Sequence, residues 1–154
     1  MTQSEIIQII FGGIGSCGFG ILFNIRGKKL LFATLGGFIS WLFFVVLGFI
    51  IESEPIRYFI VASLITVFAE IMARVLKTPT TTFHMTALVP LIPGGALYYT
   101  MAAMFERNTE NFISKGIYTV ELAVALALGI VLTSAAFKMF SVALKEIRGS
   151  KVIK

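Results

Sequence analysis

Charge is scarce in this chain, and so are the residues from which catalytic and metal sites are usually built. Charged residues make up 14% of its 154 positions, against about 25% in an ordinary soluble domain. It holds one cysteine, Cys17, and one histidine, His84. A lone cysteine excludes a disulfide framework within the chain, and inside an apolar run Cys17 reads as a small packing residue. No group of His, Cys and carboxylates has metal-ligand spacing, no glycine-rich phosphate loop follows a strand, and no serine sits in a nucleophile elbow. No enzymatic activity, metal or cofactor is therefore expected. Polar linkers are lacking as well, which leaves a single membrane domain over residues 1–154. Prolines number only four, and two of them, Pro90 and Pro93, fall in one cluster.

What the chain has in abundance is apolar sequence. Hydrophobic residues reach 57% and the mean hydropathy is +0.92, so the expected fold class is an all-α integral membrane protein. The stretches 6–25 and 30–51 carry no charge and suit spanning helices of about 20 residues. A third, 56–75, is interrupted late by Glu70 and Arg74. The fourth, 79–105, lies in a run without Asp, Glu, Lys or Arg, opened by Thr78 as expected N-cap and Pro79 as first helical residue. The fifth, 116–138, has Glu121 near its start and Lys138 at its end. About five transmembrane helices result. The start Met1-Thr2-Gln3-Ser4-Glu5 lacks a basic n-region, so the first apolar stretch is expected to stay as a span.

The formal charge is +5, but the basic residues are scattered at segment ends, which argues against nucleic acid as a partner. Their placement reads as orientation. With the N-terminus outside, the inner side receives Arg26, Lys28, Lys29, Arg74, Lys77, Lys138, Lys145, Arg148, Lys151 and Lys154, and the outer side only Arg57, Arg107 and Lys115. The positive-inside rule then predicts N-out and C-in. A re-entrant fourth segment would instead return the loop from Glu106 to Lys115 to the inner side.

The cluster Pro90-Leu91-Ile92-Pro93-Gly94-Gly95 sits in the middle of the fourth segment. Proline removes backbone hydrogen bonds, here those to the carbonyls of Thr86 and Val89, and glycine permits bending and close approach. In a bilayer, such a break is tolerated where it is packed in protein or lines a cavity. Discontinuous helices recur at transporter binding sites. A half-helix starting near Gly94 would aim amides and a positive dipole end at a carboxylate, while the freed carbonyls suit an ammonium group. Tyr98, Tyr99 and Thr100 follow within two turns and offer hydroxyls. Pro90, Pro93, Gly94, Gly95, Tyr98, Tyr99 and Thr100 are thus the candidate substrate-binding residues.

Two polar side chains need an account of their own. Glu70 is an intramembrane carboxylate, suited to coupling or solute contact, or simply an i,i+4 ion-pair partner of Arg74. His84 reads either as a proton carrier or as a hydrogen-bonded interfacial residue. Small residues also recur at four-residue spacing, at Gly12, Ser16 and Gly20, at Gly36 and Ser40, and at Ala125, Gly129 and Thr133. Such stripes let helices approach closely, either within the chain or at a seam with a partner subunit.

A family resemblance rests on Glu70-Ile71-Met72-Ala73-Arg74, Lys77-Thr78-Pro79, Phe83 and the run from Pro90 through Thr100 to Met101. Together these resemble the signature of the threonine/serine exporter family, in particular its C-terminal half, which occurs as a separate small protein. Phe23-Asn24-Ile25-Arg26-Gly27 resembles that group too, with Gly27 and Lys28 in place of its more usual basic pair. The resemblance implies a larger polytopic partner that supplies the N-terminal half, and a bacterial inner-membrane location among lipid. It implies proton-coupled export of small amino or carboxylic acids, either threonine and serine or a dicarboxylate such as succinate. Glu70, Arg74, Lys77 and His84 are then the expected coupling residues. The alternatives are a homo-oligomeric channel and a non-transporting scaffold subunit.

Overall fold

In the computed structural model, the backbone of residues 2–150 and the side chains of residues 2–143 are described. Apolar runs bounded by turn-forming residues give the helices α1 (Gln3–Leu22), α2 (Lys28–Gly48) and α3 (Glu54–Val75). Two short helices follow, α4 (Thr80–Ala87) and α5 (Gly94–Phe105), with a single 3-10 turn at Val89–Leu91 between them. The last helix, α6 (Thr109–Ser150), has 42 residues. Four helices are long and apolar enough to cross a membrane, and the pair α4 and α5, bent by 45°, is a fifth candidate when taken as one span. No strand occurs among the described residues.

Local chemistry sets the helix ends. The Glu5 carboxylate accepts the Thr2 amide at 2.6 Å and closes the first turn of α1. Three helices end on a left-handed residue, Asn24 after α1, Lys77 after α3 and Arg107 after α5. Beyond each, an amide reaches back to the last turn, as in Ile25 N to Gly20 O at 2.9 Å and Thr78 N to Ala73 O at 2.9 Å. That pattern satisfies carbonyls a helix end would otherwise leave open. The start of α4 differs from expectation by one residue. Thr78 does not cap it, because its hydroxyl donates backward to the Leu76 carbonyl at 2.9 Å. Pro79 is extended at φ −56 and ψ 139, and the helix begins at Thr80.

Side-chain pairs fix the topology. Gly12 faces Trp41 while Gly20 faces Leu30, so α1 and α2 are antiparallel. Gly48 faces Arg57 and Gly36 faces Phe68, so α2 and α3 are antiparallel too. Between α3 and α6 the order is parallel, since Glu54 meets Tyr118, Ser63 meets Gly129, and Arg74 meets Ser141. The intervening α4, 3-10 turn and α5 must therefore carry the chain from the Arg74 end of the bundle to the Glu54 end, as a bent crossing and not as a hairpin. The basic tail residues Lys151 and Lys154, used above for orientation, lie outside the described residues.

The small-residue stripes resolve to internal packing. A Cβ on Gly36 would stand 2.9 Å from Ala87 Cβ, one on Gly129 would stand 2.6 Å from the Phe59 carbonyl oxygen, and one on Gly37 would overlap Ser16 Oγ. The seam with a partner subunit is therefore not where these stripes lie. They bring α1, α2, α3 and α6 close enough to bury two clusters, one of Phe44, Tyr58, Val61, Ile65, Ala87, Leu91 and Leu122, the other of Ala33, Ala69, Ala73 and Phe83. Outward-facing side chains such as Phe11, Leu22, Ile50 and Phe105 stay exposed and apolar, as a lipid-facing surface requires.

Candidate functional site

The break lies about halfway along the bundle. Proline at 90 offers no amide to Thr86, and the chain tightens into the 3-10 turn, in which Leu91 N reaches Leu88 O at 2.9 Å and Ile92 N reaches Val89 O at 3.2 Å. The Val89 carbonyl is therefore engaged, contrary to the expectation that it is free. Gly94 N likewise donates to Ile92 O at 2.6 Å. Among the described residues, the amides at the start of α5 without a backbone acceptor are those of Gly95 and Ala96.

The candidate substrate residues divide between two faces. Toward the bundle, Leu91 is fully buried and Pro90 approaches Gly12, on which a Cβ would stand 3.6 Å from Pro90 Cβ. Thr100 also faces inward, where its hydroxyl is shared between the Ala96 carbonyl at 2.9 Å and Thr119 at 2.9 Å. Away from the bundle, a methyl placed on Gly94 or Gly95 would meet nothing within 4 Å. Tyr98 and Tyr99 are exposed, packed edge to face at 5.5 Å. Lys115 Nζ lies 5.1 Å from the Tyr99 ring centre.

Glu70, Arg74, Lys77 and His84 gather at the Arg74 end, apart from the tyrosines. Arg74 stands 4.0 Å from Glu70, donates to Ser141 Oγ at 2.6 Å and lies 4.6 Å over the Phe137 ring. It therefore fastens α3 to α6. Lys77 holds the left-handed position that ends α3, at φ 48. His84 lies within electrostatic reach of Glu70, and its Nε2 is buried without a hydrogen-bond partner among the described residues. It opens onto an apolar groove of about 300 Å³ that follows α4 and the 3-10 turn from Thr81 to Ile92 against Ile130 of α6. Of the candidate residues, His84 alone lines it.

A family profile described as Threonine/Serine exporter, ThrE, matches residues 8–136, from the second turn of α1 nearly to the end of the apolar part of α6. The chain belongs to the threonine/serine exporter family. That family is one of transporters and not of enzymes, and with its apolar helices the chain is a multi-pass membrane protein of the exporter kind. Comparison with curated proteins and with solved structures finds no significant match.

One feature of this exporter-family fold is not legible in the sequence. At the Glu54 end, α1, α2 and α3 enclose a cavity of about 380 Å³ lined by Glu5, Gln8, Trp41, Phe44, Gly48 and Arg57, among others. In the sequence, Arg57 counts only as a loop cation beside Glu54. The usable signal was a lone tryptophan and a glycine in otherwise bulky apolar sequence.

Proposed function

We propose that this chain is the small subunit of a two-component secondary exporter of small amino or carboxylic acids, corresponding to the C-terminal half of the family. A larger polytopic subunit supplies the other half in a bacterial inner membrane, with the N-terminus of the small subunit outside. The observation that carries this reading is the open outer face of the broken span. A methyl on Gly94 or Gly95 would meet nothing within 4 Å, and Tyr98 and Tyr99 stay exposed in the turn that follows. A solute site needs walls on all sides, and here one wall is left to a partner.

Within that site, the Gly95 and Ala96 amides and the dipole of α5 face a carboxylate. Tyr98 and Tyr99 supply hydroxyls, and Thr100 fixes α5 on α6. The substrates are threonine and serine or a dicarboxylate such as succinate, and the driving force is the proton gradient. His84 and Glu70 are the groups through which protons pass, with Arg74 and Lys77 holding the end of α3 beside them. The test is efflux from vesicles that contain both subunits, with Gly94→Leu and Gly95→Leu as the variants. Efflux by the small subunit alone would overturn the two-component reading, and efflux indifferent to an imposed pH gradient would overturn the proton coupling.

A further inference from the structure

We propose that the cavity at the Glu54 end is a second site, which binds small carboxylates and has Arg57 as its anchor. A guanidinium presents five N–H donors in a plane that matches a carboxylate. Here few of them are used. Nη2 lies 3.5 Å from Glu54 Oε1, beyond a good hydrogen bond, in a side chain only 15% exposed. Nε is buried and has no acceptor among the described residues. Below, the guanidinium rests on the Phe44 ring at 4.9 Å. Glu54 is also shared, because its other oxygen accepts the Tyr118 hydroxyl. A largely buried cation so thinly paired is costly to keep, and a carboxylate in the adjoining cavity would satisfy it.

The walls are arranged around that cation. Gly48 faces it directly, and a Cβ there would stand 2.8 Å from Arg57 Nη1. Gly48 is the last residue of α2, and its missing Cβ leaves the room that Arg57 occupies. Across the cavity stand Glu5 and Gln8 from the first turns of α1, acceptors for an ammonium if the ligand has one. Trp41 lines the cavity, stacked on Phe44 at 5.1 Å. Its Cβ would lie 3.2 Å from a methyl on Gly12, which on its other side would meet Pro90. One aromatic side chain thus separates this cavity from the break. The site goes beyond the function proposed above, because it lies at one end of the bundle and binding to it calls for no partner subunit.

Trp41 is the only tryptophan in the chain, so its fluorescence reports on the wall between this cavity and the break, and the Arg57 and Gly48 variants assign a change to the cavity. The full-length chain in nanodiscs would be titrated with succinate, with L-threonine and with L-threoninol, which keeps the ammonium but lacks the carboxylate. The expected result is a saturable change with succinate, L-threonine or both, and none with L-threoninol. Response to succinate alone assigns a dicarboxylate, and response to L-threonine that Glu5→Gln weakens assigns an amino acid. Arg57→Gln should raise the midpoint by about tenfold or more, the scale of a lost charged hydrogen-bond pair. Gly48→Ala, which keeps the arginine but displaces it, should raise it as well, and Arg26→Gln, an exposed cation in the loop after α1, should leave it unchanged. Thermal melting of each variant separates lost binding from lost fold. The proposal is overturned by the absence of a saturable change with both carboxylates, by an unaltered midpoint in folded Arg57→Gln and Gly48→Ala, or by emission that follows only the phosphatidylglycerol content of the nanodisc.

Discussion

Gly36 of α2 packs against the inner face of the broken span while Gly94 lies on the span's outer face, and they are not equivalent. A methyl on Gly36 would come within 2.9 Å of Ala87 Cβ and of Phe68 Cε1, whereas one on Gly94 would meet nothing within 4 Å. Glycine in a helix costs about 0.5–1 kcal/mol relative to alanine. At Gly36 that cost is offset within the chain, because α2 can approach α4 closely enough to bury Ala87, Phe83 and Leu91 completely. No such return exists at Gly94. The inner face of the span is thus explained by this chain's own packing, and the outer face at Gly94 is not.

The largest effect is expected where the close helix seams inside the bundle are overfilled. Gly129→Leu forces a side chain against the Phe59 carbonyl, and backbone cannot swing aside as a side-chain tip can. Gly36→Leu meets Ala87 and Phe68 together. Each should destabilise by about 3 kcal/mol, the upper range of overpacking, and lower the melting temperature of the purified protein. An unchanged melting temperature in both would break the comparison, since the seams inside the bundle would then have room to spare.

On the outer face the same substitution should spare the fold and remove the function. Gly94→Leu and Gly95→Leu are expected to stay within about 0.5 kcal/mol of the parent in stability, as for surface positions. Efflux by the assembled exporter should fall by about tenfold or more, equivalent to about 1.4 kcal/mol or more of lost stabilisation. Normal efflux in both variants would mean that this face meets only lipid.

How far such distinctions are legible in the sequence depends on what an apolar run reports. It reports exclusion from water, so the crossings and the interruption at Pro90 to Gly95 can be read directly. It says little about neighbours. The stripes at Gly12, Gly36 and Gly129 are compatible with internal packing and with a partner seam alike, and only the contacts of α1, α2, α3 and α6 decide between them. Sequence starts the last span at Gly116 because Glu110 and Lys115 read as a loop, yet α6 runs from Thr109. At 1.5 Å per residue its 42 residues reach about 63 Å, twice a hydrocarbon core, so α6 projects beyond it. Thr78 resembles a cap, but its hydroxyl has a nearer acceptor in the Leu76 carbonyl. Arg57 is hidden for a different reason, since charge counting weighs every loop cation alike and burial is a tertiary property.

Lys77 allows the comparison to be sharpened at the Arg74 end. It occupies a left-handed conformation that costs a residue with a side chain about 1 kcal/mol. If its place in the coupling group is only to end α3, Lys77→Gly should raise stability by about that amount and leave efflux unchanged. Stabilisation with a loss of efflux would instead assign its ammonium a part in transport.

The smallest stability effect belongs to Glu70→Gln, and that is what makes it informative. The Glu70 to Arg74 distance is 4.0 Å and the arginine side chain is 53% exposed, so the pair contributes less than about 0.5 kcal/mol. Arg74 keeps its hydrogen bond to Ser141 and its place over Phe137 without Glu70. Arg74→Gln should therefore destabilise more than Glu70→Gln, because it releases α6 as well as the ion pair. Glu70 is also within electrostatic reach of His84, whose Nε2 has no other partner among the described residues. Removing the carboxylate charge thus bears on the histidine more than on the fold. In vesicles with both subunits, Glu70→Gln should flatten the dependence of efflux on the pH gradient while its melting temperature stays near that of the parent. A parental pH profile would reduce Glu70 to an ion-pair partner, and His84→Gln would then have to carry the coupling alone or show that the protons take another route.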